Sequence, residues 1–337
     1  MLKEERNLVM AAANGKGKYV AFHPTYNPKQ SFLNQQQTKA ISQVLNSRDF
    51  ITGIKGAAGV GKSTIISELV KAHMEKGKQL FCLAPSSQAV SVLKEKGYKA
   101  DTIAGFLKKE QFHQELHGQT ILVDEGGMVG TKQFNELIAI GQKQNMRYLV
   151  SGDTAQHAPP AQYGDAMRHL MEKAQINTAH VNTIVRQKNK ALKSVVGSLS
   201  KGKTLDGFQK LEKMGSVKEV QDRDKRLEKI ADDYVQAVID KKTALVISPT
   251  HAENDLINEN IRKKLKQKKL ITGKERTFTS LRSLSFTKDQ KKDLQNYEEK
   301  QIIRFLNNAK GNYRGGVTYT IIKEKKSGVL KIKHPKT

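Results

Sequence analysis

Short apolar runs alternate with amphipathic stretches through the first half of the chain. Ile51–Ile54, Leu80–Ala84, Ile121–Val123 and Tyr148–Val150 are brief and mostly aliphatic, and a fifth run, Ala244–Ile247, follows later. Between them, apolar residues recur at helical spacing, as with Ile65, Ile66, Leu69, Val70 and Met74 in Ser63–Lys76, and again over Gln88–Lys96. Strands without polar alternation are buried on both faces, so the pattern predicts a parallel sheet covered by helices. Past Ser200 the rhythm changes to a Lys- and Glu-rich helical stretch, Asp222–Asp240, the expected strand ALVIS and the basic run Arg262–Lys269. From Gln301 onward, apolar and polar positions alternate around glycine turns (QIIRFLN, YRGGVTYTIIKEKKSG, VLKIKH), which predicts a small antiparallel barrel.

Composition adds a size and a charge. A chain of 337 residues has room for about two domains. Its 59 Lys and Arg against 33 Asp and Glu give a net charge of +26, which points to a polyanion such as nucleic acid. A merely soluble, lysine-decorated surface would look the same, and KKLKQKKL reads first as a solvated helix face. The single cysteine, Cys82, excludes an internal disulfide and agrees with a reducing compartment. There is no apolar stretch long enough for a membrane span and no signal-peptide layout in MLKEERNLVM, so the expectation is a cytoplasmic protein without a membrane partner. The nine histidines form no H-x-H cluster, and His157, His169 and His180 are too widely spaced to suggest a metal site.

The most specific chemistry lies in GAAGVGKST: Gly56, Ala57, Ala58, Gly59, Val60, Gly61, Lys62, Ser63 and Thr64. It fits the P-loop pattern, with an apolar strand before it and a helical stretch after it. Glycines let backbone N–H groups close on a polyphosphate, Lys62 can reach its outer phosphates, and the Ser63 hydroxyl can complete a Mg²⁺ shell. ATP with Mg²⁺ is the expected ligand. In ILVDEGGM two carboxylates follow a strand directly, the layout in which Asp124 holds the metal and Glu125 activates water. Gln156 in LVSGDTAQ and Arg186 in VRQKN are candidate γ-phosphate contacts, although Arg186 alone would pass as a surface residue. Gln37 in LNQQQTKAI could pair with an adenine edge, or simply begin a helix.

Taken in order, LNQQQTKAI, GAAGVGKST, LAPSSQAVSVL, ILVDEGGM, LVSGDTAQHAPP and IVRQKN resemble the RecD-like superfamily 1 helicases. SPTHAENDLINENIRKKL, NYEEKQIIRF and GGVTYTII look like the helicase module that follows the relaxase in conjugative relaxase-helicases of plasmid transfer. The resemblance implies an α/β fold: a P-loop NTPase (RecA-like) parallel-sheet domain, and a partial second RecA-like domain with a small SH3-like β-barrel insertion. The expected boundaries are 1–30 for a linker, 31–179 for the ATPase domain, 180–285 for the partial second domain and 286–337 for the barrel.

It further implies an ATP-dependent DNA helicase moving 5′ to 3′ on single-stranded DNA and fused, in the parent protein, to a relaxase. Lys62, Asp124, Glu125, Gln156 and Arg186 would be catalytic, Ser63 and Asp124 would hold metal, and Gln37 would select adenine. Pro85, Ser86, Ser87 and Thr102 would touch the DNA backbone, a sequence-neutral and salt-sensitive contact. The chain departs from the family in reading DEGG where DEAG or DEAS is usual, and it stops at Thr337 before the Gly-rich and arginine motifs expected downstream. A fragment that binds ATP but hydrolyses it weakly is the expectation, and the alternative is a non-catalytic nucleic-acid-binding remnant.

Overall fold

The computed structural model describes residues 2–28, 31–57, 59–154, 164–187, 189–274 and, with short gaps, 276–333. Six parallel strands form one sheet: β1 (Ile51–Gly56), β2 (Leu80–Ala84), β3 (Ala100–Thr102), β4 (Thr120–Val123), β5 (Arg147–Gly152) and β6 (Thr178–Val181). Their spatial order is β3-β2-β4-β5-β1-β6. β2, β4 and β5 are buried along their whole length, which is why their sequences read as continuous apolar runs. Two strands escape the hydrophobic pattern. ADT (β3) and TAHV (β6) are short edge strands with polar positions, and only pairing to β2 and β1 makes them strands.

The helices of this unit are α1 (Leu2–Asn14), α2 (Gln35–Asn46), α3 (Lys62–Glu75), α4 (Ser87–Glu95), α5 (Ile103–Leu107), α6 (Glu110–Glu115), α7 (Thr131–Lys143), α8 (Ala166–Arg168), α9 (Lys190–Leu199) and α10 (Thr204–Lys213). One face of the sheet packs against α1, α5 and α7 through Leu8, Phe106, Phe134 and Leu137, and the other against α2, α3 and α4 through Ile41, Ile65, Leu69 and Leu93. Two sandwiched cores of this kind make a three-layer α/β unit.

Domain limits differ from those expected. The chain divides into compact units at Glu219/Val220. Residues 180–219 stay with the first because β6 pairs with β1 and the following segment rests on the P-loop. Nor are the first thirty residues a linker: Leu8 and Ala12 of α1 lie in the core, at 0% and 1% exposure. The segment after α1 is fastened by Arg147. Its guanidinium donates to the carbonyls of Val20, Ser47 and Asp49, with its carbon 3.5 Å from the Phe22 ring centre and 5.1 Å from that of Tyr19.

In the second unit, α11 (Arg223–Ile239) and α12 (His251–Gln267) enclose a small core of Leu227, Ala231, Ile257 and Ile261. The expected strand Ala244–Ile247 belongs to no sheet among the described residues. It runs without a ladder, with Leu245 83% and Ile247 85% exposed. An apolar run becomes a strand only where a neighbour takes its N–H and C=O groups, and no described strand does so. The C-terminal residues form β7 (Ile302–Arg304), β8 (Thr318–Lys323) and β9 (Leu330–Lys333), an antiparallel sheet in that order; the described residues contain these three strands and no closed barrel. Among the described residues, no helix is long and apolar enough to cross a membrane.

Candidate nucleotide site

The P-loop leaves β1 at Gly56 and enters α3 at Lys62. Its glycines are dictated by space and by backbone. A Cβ on Gly56 would stand 2.7 Å from Val60 Cγ2 and 2.9 Å from the Val181 carbonyl. Gly59 and Gly61 both take φ +85°, where an L side chain is strained. Val60 is fully buried and anchors the loop's centre in the core. The helix then begins with Lys62, Ser63 and Thr64, so its free N–H groups open onto the loop.

Ala57, Gly59, Gly61, Lys62, Ser63, Asp124, Glu125, Val185 and Arg186 line one cavity of about 420 Å³. Its residues come from different elements. Asp124 follows β4, tied to β2 by its N–H to the Leu83 carbonyl at 2.8 Å. Because β5 lies between β4 and β1, the acids stand two strand spacings, roughly 9.6 Å, from the strand that leads into the P-loop. Arg186 approaches from beyond β6. The Gly59 carbonyl accepts from the backbone N–H of Val185 at 2.9 Å and of Arg186 at 3.0 Å, which fastens this segment to the loop.

The electrostatics follow from burial. Lys62 is lowered by desolvation, opposed by Asp153, then Asp124 and Glu125; its ammonium also donates to the Gly56 carbonyl. Asp124 is raised by burial, opposed by the Glu125 N–H, the Ser151 hydroxyl and Lys62. Glu125 is raised by burial and by the Asp124 charge. A carboxylate pushed upward next to a second one is a stronger proton acceptor than an ordinary carboxylate. Glu125 also sits in the left-handed region, φ 55° and ψ 37°, a conformation that sharply turns the chain after β4.

That turn accounts for the DEGG departure. A Cβ on Gly126 would meet Val150 Cγ1 at 2.5 Å, and one on Gly127 the Asp153 carbonyl at 2.6 Å. The 126–128 turn is pressed against the end of β5, and here it requires both glycines.

Other expected residues lie elsewhere. Pro85, Ser86 and Ser87 follow β2, and Thr102 ends β3 beside Ala84. The Ser86 and Thr102 hydroxyls accept from Ala89 N–H at 3.2 Å and Gly105 N–H at 3.0 Å, capping α4 and α5. Both caps stand at the carboxyl end of the sheet, where ligands of open α/β sheets bind. Gln37 is buried beneath the loop. Ala58 and Gln156 lie outside the described residues. Asp153 and Val185 are further residues of the site that are not among those expected. Asp153 had a usable signal, as the first carboxylate after a strand, while Val185 becomes a site residue only because the Gly59 carbonyl holds its backbone there.

Comparison with known proteins is consistent with this geometry. A family model described as AAA domain matches residues 32–222, more than half of the chain. The multifunctional conjugation protein TraI of Escherichia coli K12 is 30% identical over 166 residues, 46% of this chain, and a second Escherichia coli TraI is 29% identical over 159 residues, 44% of it. The chain spans about 9% of the length of these curated relatives. A solved DnaC helicase loader is 16% identical, with a TM-score of 0.29 over 48% of this chain and 96% of that one, a likeness too slight to carry an argument. The chain belongs to the AAA domain family, and part of it is similar to the TraI conjugation proteins.

Proposed function

We propose that the chain is an ATP-driven helicase module of a conjugative relaxase, moving 5′ to 3′ along single-stranded DNA. One observation carries the nucleotide part: a single cavity is lined by Lys62, Ser63, Asp124, Glu125 and Arg186. The residues present suit a magnesium nucleotide. Gly59 and Gly61 take φ +85°, where a side chain would be strained, two partly buried carboxyls lie near a lysine, and Ser63 stands in the first turn of α3. Lys62 and Arg186 would hold phosphate oxygens, Ser63 and Asp124 would hold Mg²⁺, and Glu125 would orient a water and take its proton. Magnesium would neutralise the phosphate charge. Ser86 and Thr102, with Pro85 and Ser87, would meet the DNA backbone; the net charge of +26 supports a polyanionic track.

Mg²⁺-dependent ATP hydrolysis, measured with and without single-stranded DNA, tests the reading. Glu125→Gln is expected to lower kcat by about a hundredfold or more, the range of a positioned base, while nucleotide still binds. Lys62→Ala is expected to lose binding as well. Hydrolysis unchanged by Glu125→Gln would refute the assignment.

A further inference from the structure

Ser151 stands near the end of β5 with 0% exposure, a depth at which a hydroxyl needs a partner. Its surroundings follow from register. Val123 of β4 lies opposite Val150 of β5, so one step further along Asp124 lies opposite Ser151. The ladder reaches that step, because the Asp124 N–H donates to the Leu83 carbonyl of β2. Side chains alternate along a strand, and Leu122 and Leu149 belong to the core on the α3 side of the sheet. Asp124 and Ser151 therefore share the face that the P-loop helix covers. On its other side Ser151 lies opposite Ile54 of β1, between the P-loop strand and the acids.

The Ser151 hydroxyl faces the Asp124 carboxyl and favours its charged form. It nevertheless completes no well-aligned hydrogen bond among the described residues. A buried hydroxyl in that condition destabilises the chain that carries it, and an alanine would pack in its place without the penalty. A ligand explains it. A carboxylate that holds a metal is commonly fixed in direction by a hydrogen bond to its other oxygen. Ser151 is the hydroxyl placed to give that bond to Asp124.

Resting on the nucleotide-site reading, we propose that Ser151 is a positioning residue for Asp124. Its hydroxyl donates to one oxygen of the carboxylate, leaves the other for Mg²⁺, and so sets the affinity for the divalent cation of the bound nucleotide. Ser151→Ala removes the hydroxyl with little change of volume. Calorimetric Kd values for ADP are compared with wild type in excess Mg²⁺ and in EDTA, Mn²⁺ binding to the ADP complex is followed by electron paramagnetic resonance, and folding by thermal melting. The same substitution is also made in an Asp124→Asn background.

In Ser151→Ala the Kd values for Mg-ADP and for Mn²⁺ are expected to rise by about tenfold, while ADP in EDTA binds as in wild type. The melting temperature should hold or rise, because an unpartnered hydroxyl has gone. With Asp124→Asn already present, Ser151→Ala should change the Mg²⁺ dependence no further. Equal weakening with and without metal would make Ser151 a packing residue, no change in either would remove it from the site, and an additive loss beside Asp124→Asn would show that it acts without Asp124; each overturns the proposal. If wild type binds ADP in neither condition, the nucleotide-site reading fails instead.

Discussion

His73 is a buried base on the helix that follows the P-loop, 4% exposed. Its Nδ1 meets the Leu69 carbonyl at 2.7 Å and its Nε2 the Thr120 hydroxyl at 3.2 Å, an arrangement that suits the neutral ring. Burial pushes its pKa down to about 4. Between the unfolded value near 6.5 and the folded one, the unfolded chain binds the extra proton. Stability therefore falls as pH drops through 6.5 and levels off below about 4, by about 3 kcal/mol from this group. Urea unfolding at pH 7 and pH 4.5 should show that His73→Gln has a smaller pH dependence than wild type; equal dependence would contradict the assignment. At Gly126 the test is a double-mutant cycle. Gly126→Ala is expected to destabilise by about 1–3 kcal/mol, with part of the loss recovered when Val150→Ala removes the methyl it strikes. Gly127→Ala, opposed by the Asp153 backbone, should find no such relief.

Individual segments are held by contacts distant in sequence. Residues 19–26 make no regular structure, yet the Arg147 guanidinium, between the rings of Tyr19 and Phe22, fixes them across the start of β5. Burial lowers the Arg147 pKa to about 10, which leaves it charged at neutral pH. Lysine cannot reproduce three directed bonds and a flat stack, so Arg147→Lys is expected to cost about 2–4 kcal/mol and to expose residues 19–26 to proteolysis first. A melting curve like that of wild type would refute this. Nearby, Tyr26 donates at 3.1 Å to Glu68, whose side chain is fully buried in α3 and also pairs with Lys71. The same segment therefore reaches the P-loop helix. Neither link could be read from the sequence, because both join residues more than forty positions apart through groups that look like ordinary surface polarity.

At the scale of the molecule, the two units differ in how much they bury. The first has two extensive cores on either side of its sheet; the second, among the described residues, has one small cluster of four buried apolar residues between α11 and α12. Hydrogen exchange should accordingly show strong protection in β1, β2, β4 and β5 and weak protection in α11 and α12, and the reverse order would contradict the described packing. The net charge of +26 bears on DNA. If single-stranded DNA is held through about five phosphates, affinity should fall about a hundredfold between about 50 and 200 mM salt, and a flat salt profile would exclude a backbone-contact mode. By itself the sequence determined the central strands, the P-loop, the acids after β4 and the family, because buried parallel strands and phosphate-binding glycines each impose a local residue pattern. Tertiary structure alone decided the rest. It made strands of β3 and β6, left Ala244–Ile247 without a ladder among the described residues, inserted β5 between the P-loop and its acids, and turned the Gln37 amide toward the loop. Each of these depends on which neighbour supplies a hydrogen-bond partner or fills a space, and neighbours far apart in the chain leave no local pattern.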